Sequence, residues 1–379
     1  MNPLHFSKFV QHTFQTDKFI PLHVPVFKGN EKRYLQETID STFVSSVGAF
    51  VNKFEEQITE FTQVKKSVAM VNGTAGLHIC LKVIGVDLLD EVLTQALSFV
   101  ATSNAIAYCG ASPVFIDVDL DTMGLSPKYL KEFLETFGEI REDGTYNKKT
   151  EKRISACVPM HTFGFMSRID EIITICDEWN IPVIEDAAES LGSYYKNKNA
   201  GSFGKMSVFS FNGNKIITAG GGGIICTNDK NLADEAKFLS TTAKDPHKWE
   251  YFHSQLGFNY RMPNLNAALA LAQLEMFNTI LEKKKALFLS YDEFFKGTDI
   301  LVKPPKETKW NYWLMSVRLS NLEERNEFLS QTNTLGVMTR PIWKLLYKLP
   351  HYSNCQRDDQ KNSNFLEERI VNIPSSARI

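Results

Sequence analysis

A chain of 379 residues is too long for one small core and predicts a large domain with a smaller partner. Lys and Arg total 42 against 44 Asp and Glu, a formal charge of −2 that lacks the basic excess of a nucleic-acid binder. With 43% hydrophobic residues the composition also excludes a disordered chain.

The first residues, MNPLHFSKFVQHTF, hold no apolar run long enough for a signal peptide. No stretch elsewhere approaches the roughly eighteen uncharged apolar residues of a membrane span. A cytoplasmic protein without a membrane partner is therefore expected. From Ser67 to Thr227 short apolar runs alternate with helical patterns, the mark of crossover-connected parallel strands and an α/β sheet. Strands are predicted at Ser67 to Val71, Glu91 to Gln95, Pro113 to Asp117, Ser155 to Met160, Pro182 to Asp186, Ser207 to Phe211 and Gly223 to Thr227. Their near-continuous apolar character predicts a mostly parallel seven-stranded sheet covered on both faces. The polar stretch Glu139 to Arg153 reads as a surface excursion between a helix and a strand.

After Met262 a long helix is predicted, with Leu265, Leu269, Leu271, Leu274 and Phe277 as its apolar stripe, bridging two domains. Beyond about Leu281, helices mix with short strands such as WLMSVRL. The division expected is a large α/β domain over 20–255 and a small α+β domain over 256–379, with residues 1–19 packing on the latter. Cys80, Cys109, Cys157, Cys176, Cys226 and Cys355 stand singly, without a C-x-x-C pair, and read as small buried hydrophobes rather than metal or redox groups.

Three loops carry chemistry. Asp186 ends a predicted strand in IPVIEDAAESLG, at the edge where open α/β sheets hold ligands, although an Asp before Ala-Ala-Glu is also a good helix cap. In VFSFNGNKIITAGGGG a strand ends at Ser210 and Phe211, a polar loop carries Lys215, and Gly220 to Gly223 follow. Neither nucleotide-binding motif fits here: the dinucleotide fingerprint needs a glycine where Ile225 stands, and Gly204-Lys205 lacks the flanking residues of a P-loop. In VNGTAGLHICL, Gly73 and Thr74 lie between a strand and a helix, a placement that aims amides and a hydroxyl at a phosphate or is a plain turn.

Taken together these are the requirements of pyridoxal phosphate: a helix N-terminus for the phosphate, a carboxylate for the pyridinium nitrogen and a lysine for a Schiff base. With NGTAGL, SFVATSNAI, IEDAAESLG, FSFNGNK, the glycine run and GFNYRM, the chain resembles the DegT-type nucleotide-sugar aminotransferases from about Pro21 to about Tyr352. The resemblance implies fold-type I and a cofactor that alternates between pyridoxal 5'-phosphate and pyridoxamine phosphate. It implies that Lys215 carries the cofactor, that Asp186 pairs with the ring nitrogen, that Gly73, Thr74 and Ser210 hold the phosphate, and that Phe99 lies against the ring. Asn259 and Arg261 match positions that reach into a neighbouring subunit's site, which implies a homodimer with shared active sites. Glu189 departs from the glutamine or histidine many relatives have near the cofactor's phenolic oxygen, where a carboxylate repels a phenolate unless the two share a proton.

Relatives that eliminate a sugar hydroxyl have histidine where this chain has Lys215, so the lysine favours transamination. The stretch from Phe19 to Phe54 resembles the branch acting on UDP-linked 4-keto-6-deoxy N-acetyl-hexosamines, on the way to bacillosamine or legionaminic acid. There the loop holding Ser45, Ser46 and Gly48 is expected to border the sugar, Arg340 to meet the diphosphate, and glutamate to be the amino donor. Three readings stay open: a dTDP- or GDP-linked acceptor, a lyase or desulfurase of the same fold, and a non-catalytic regulatory member. The last is disfavoured by the presence of both Lys215 and Asp186.

Overall fold

A computed structural model describes residues 1–378. Seven strands build the main sheet: β1 (Lys66–Met70), β2 (Glu91–Gln95), β3 (Ser112–Ile116), β4 (Lys152–Val158), β5 (Ile184–Asp186), β6 (Met206–Ser210) and β7 (Gly223–Thr227). The order β1-β7-β6-β5 continues into β4-β2-β3 through parallel bridges at Cys157 with Val183 and Met160 with Asp186. Only β7 runs antiparallel to its neighbours, β1 and β6. The other adjacent pairs are parallel.

Side chains alternate between two cores, as strands buried on both faces require. Val208 and Ile225 join one buried cluster, with residues of the helix Gly73–Val83, while Phe209 and Ile224 join the other.

In two places the sequence reading needs correction. Within Glu139 to Arg153 a hairpin forms from Gly138–Arg141 and Gly144–Asn147, whose second arm pairs antiparallel with the start of β4. Thr145 and Asn147 are buried, so the excursion is a sheet extension with one covered face. The long helix after Met262 is two, Asn264–Glu275 and Phe277–Phe294, divided at Met276. In the first, Ala267, Ala268, Ala270, Leu271 and Ala272 are buried, whereas Leu265, Leu269 and Leu274 are only half-buried. The helices Glu31–Asp40 and Ala49–Thr62 both pack against it, and small side chains permit that close approach.

In the last third of the chain, β8 (Met315–Arg318) and β9 (Arg340–Pro341) flank β10 (Ile370–Ile373) in an antiparallel sheet. The N-terminal helix Pro3–Phe14 starts with an Asn2 cap and buries Phe6 and Val10. Phe6 packs on Tyr291, Phe295 and Phe328. Five cysteines are buried and Cys355 is half-buried, all as free thiols. Among the described residues no helix is long and apolar enough to cross a membrane, and no cluster of metal-ligating side chains forms.

Candidate active site

The carboxyl ends of β1, β2, β5 and β6 all deliver residues to one cavity of about 620 Å3, whose far wall comes from the C-terminal third of the chain. After β1, Asn72 accepts from the Ala75 amide at 2.8 Å and starts the helix Gly73–Val83. The first-turn amides of such a helix have no intrahelical acceptor and carry its positive dipole end. Two glycines allow the close packing here. A Cβ on Gly73 meets the Ser210 Cβ at 3.1 Å, and one on Gly223 meets the Asn72 backbone carbon at 2.5 Å. Gly73, Thr74 and Ser210 thus share one corner of the cavity.

Asp186 is 3% exposed and ends β5 on the cavity wall. Its Oδ2 accepts from Thr102 Oγ1 at 2.6 Å and its Oδ1 from the Ala188 amide at 3.2 Å. Burial raises its pKa, against those two hydrogen bonds and the more distant Lys215 and His161. It forms no salt bridge among the described residues. A buried carboxylate on the cavity wall, held by two hydrogen bonds but by no ion pair, is suited as counter-charge to a protonated pyridine nitrogen. Phe99, half exposed, stands on the same cavity just before the helix Ala101–Tyr108.

The amine of Lys215 also reaches this cavity. It lies 3.2 Å from Glu189 Oε1 and 4.4 Å from the centre of the Trp313 ring. Glu189 Oε2 accepts from the Phe163 amide at 2.9 Å. Burial pushes the Glu189 carboxyl up to about 7, with the Lys215 charge pulling in the opposite direction. Glu189 is therefore divided between acid and anion near neutral pH.

Of the residues singled out in the sequence, Gly73, Thr74, Phe99, Asp186, Glu189, Ser210, Lys215 and Arg340 line the cavity together. Ser45, Ser46, Gly48, Asn259 and Arg261 do not. They gather at a second place, around the start of the helix Asn264–Glu275. The Asn264 amide donates to Ser45 O at 2.7 Å, its Nδ2 to Phe43 O at 2.7 Å, and Arg261 Nη2 to Asn259 Oδ1 at 3.0 Å. Sequence reasoning missed Thr102, although it stands within SFVATSNAI one helical turn beyond Ser98. It also missed Trp313 and Trp343, which reach the cavity from distant segments and leave no local signal.

The residues present fit pyridoxal phosphate: a helix start with two hydroxyl side chains for a phosphate, a buried anion for a ring nitrogen, an aromatic face and a lysine amine within one cavity.

The profile of the DegT/DnrJ/EryC1/StrS aminotransferase family matches residues 25–379. EpsN of Bacillus subtilis is 38% identical over 335 residues, 88% of this chain and 84% of its own length. GDP-perosamine synthase of Escherichia coli O157:H7 is 34% identical over 361 residues, 94% of this chain and 93% of its own. Among solved structures, Helicobacter pylori PseC, an aminotransferase involved in the biosynthesis of pseudoaminic acid, superposes with a TM-score of 0.84 at 24% identity. That match covers 94% of both chains.

Proposed function

The chain belongs to the DegT/DnrJ/EryC1/StrS aminotransferase family, and on that footing we propose that it moves an amino group from glutamate to C4 of a UDP-linked 4-keto-6-deoxy N-acetyl-hexosamine. The family's cofactor is pyridoxal 5'-phosphate. The observation that carries the reading is the meeting of Lys215, Asp186, Ser210 and the Gly73–Thr74 helix start in one cavity.

When bound, pyridoxal phosphate supplies an aldehyde that takes up amines and a ring that stores the electron pair left by a departing proton. The helix start with Thr74 and Ser210 would hold the phosphate, Phe99 would flank the ring, and Asp186 would pair with the ring nitrogen. Lys215 would hold the cofactor covalently, and its free amine would move the donor's α-proton and the corresponding proton in the reverse half-reaction on the keto-sugar. Incubation with glutamate and the UDP-linked keto-sugar, with the product read by mass spectrometry and NMR, tests the reading. An amino-sugar and 2-oxoglutarate in equal amounts are expected; elimination or no reaction counts against it.

We further propose that two copies share their active sites. Supporting this, Asn259, Arg261 and the loop with Ser45, Ser46 and Gly48 lie outside their own chain's cavity, in segments whose chain neighbours Phe43, Val47, Tyr251 and Leu256 are exposed apolar side chains. Lys215→Ala and Arg261→Ala chains, each inactive, are expected to regain up to about a quarter of the activity when unfolded and refolded together, because random pairing gives half hybrids with one intact site each. No recovery places Arg261 in its own chain's site or gives it a structural role.

The substrate class rests on the resemblance of Phe19 to Phe54 to the N-acetyl-sugar branch and on the polar backbone of the Ser45 to Gly48 loop. A site that hydrogen-bonds the acetamido group loses roughly hundredfold in kcat/KM on an acceptor lacking it. With glutamate as donor, the UDP-linked acetamido sugar is therefore expected to exceed a dTDP-linked sugar without that group by about this factor. A ratio near one refutes the substrate assignment and leaves the aminotransferase intact. A GDP-linked keto-sugar is the second reading, supported by the 34% identity to a GDP-perosamine synthase.

A further inference from the structure

Glu189 and Trp313 both grip the amine of Lys215, yet the reaction outlined above gives neither of them a task. Each is anchored at a second point. The Trp313 Nε1 donates to the Asn214 carbonyl at 2.7 Å, which fixes the ring against the backbone next to Lys215. The second oxygen of Glu189 is held by the Phe163 amide. Phe163 has a left-handed backbone, φ 55° and ψ 18°, rare for a residue with a side chain. Its carbonyl is tied by Trp310 Nε1 at 2.8 Å. Strain kept at this one residue aims an N–H at Glu189, and an anchored carboxylate beside an anchored indole face makes a built site for a cationic amine.

Transamination requires the Lys215 amine to leave the cofactor, stay close and come back. We propose that Glu189 and Trp313 form the holding site of that free amine, and that Glu189 exchanges a proton with it. In the exchange the proton passes from Nζ to Oε1, leaving the lone pair on nitrogen, and returns by the same path, so nothing else is consumed. The charged groups facing Glu189 are Lys215 and Asp186. A carboxyl divided between acid and anion near neutral pH is suited to such an exchange. The inference rests on Lys215 as the cofactor's anchor.

The test uses competitive acetylation of the cofactor-free full-length enzyme, with the Lys215 peptide quantified by mass spectrometry and the other lysines as internal controls. In the wild type Lys215 is expected to react more slowly than the exposed lysines. Glu189→Gln is expected to raise its rate about tenfold, because the carboxylate that holds the amine at 3.2 Å is replaced by a neutral amide. Trp313→Leu is expected to raise it several-fold and Trp313→Phe little, since a ring face is kept. Under turnover, Glu189→Gln is expected to lower kcat about tenfold with KM for both substrates unchanged. A Lys215 that reacts like an exposed lysine in the wild type, or equally in both Trp313 variants, overturns the holding site, as does a Glu189→Gln effect confined to KM. Because the labelling involves neither cofactor nor substrate, it stands apart from the aminotransferase reading, which borohydride trapping of the cofactor tests separately.

Discussion

Lys215→Ala is expected to yield a folded protein that still takes up pyridoxal phosphate but aminates its keto-sugar at least about 10^4-fold more slowly, because covalent anchoring and proton transfer are lost together. The rest of the cavity does not depend on the lysine. Asp186 is held by Thr102 and the Ala188 amide, and the Gly73 to Ser210 corner is set by backbone packing. Removing the amine leaves Glu189 buried with the Phe163 amide as its partner, and a carboxyl raised to about 7 can go neutral rather than stay an unpaired charge. Thermal unfolding near that of the wild type, with turnover at background, is the expected pair of results. Appreciable turnover by the variant removes Lys215 from the chemistry.

Asp186→Asn is expected to cost roughly 10^2 to 10^3 in kcat, about 3 to 4 kcal/mol of barrier. The amide matches the carboxylate in shape and keeps an oxygen for Thr102, so the fold is expected to survive. What it lacks is charge. A neutral partner cannot keep the ring nitrogen protonated, and the ring then stores the released electron pair poorly. Steady-state kinetics together with the absorbance of the bound cofactor check this. Rates close to wild type contradict the assigned role of Asp186, whatever the fate of Lys215.

The main sheet was legible because strands buried on both faces leave continuous apolar runs, and all seven appear within a few residues of their expected bounds. The hairpin over Gly138 to Asn147 escaped because its first arm and turn carry the charged Glu139, Arg141, Glu142 and Asp143, although Asp143-Gly144 is a hairpin turn signal. The break at Met276 has no local cause, since NLNAALALAQLEMFNTILEKK contains no Gly or Pro. For the cavity, what could be read was what sits next to a strand end: Gly73, Asp186, Ser210 and Lys215. Trp313 reaches Lys215 from nearly a hundred residues away, and no periodicity or motif records a contact of that kind. Ser45 was expected to border the sugar, yet its carbonyl accepts from the Asn264 amide, outside its own chain's cavity, and that separation is recorded by no local pattern. Arg261, which matches a position reaching into a neighbouring subunit's site, also lies outside its own chain's cavity.

Reduction of the cofactor-loaded enzyme with borohydride, followed by digestion and mass spectrometry, examines the central assignment most directly. One cofactor-derived label per chain, on the peptide containing Lys215, is the predicted result. A label on any other lysine, or a loaded enzyme that acquires none, contradicts it.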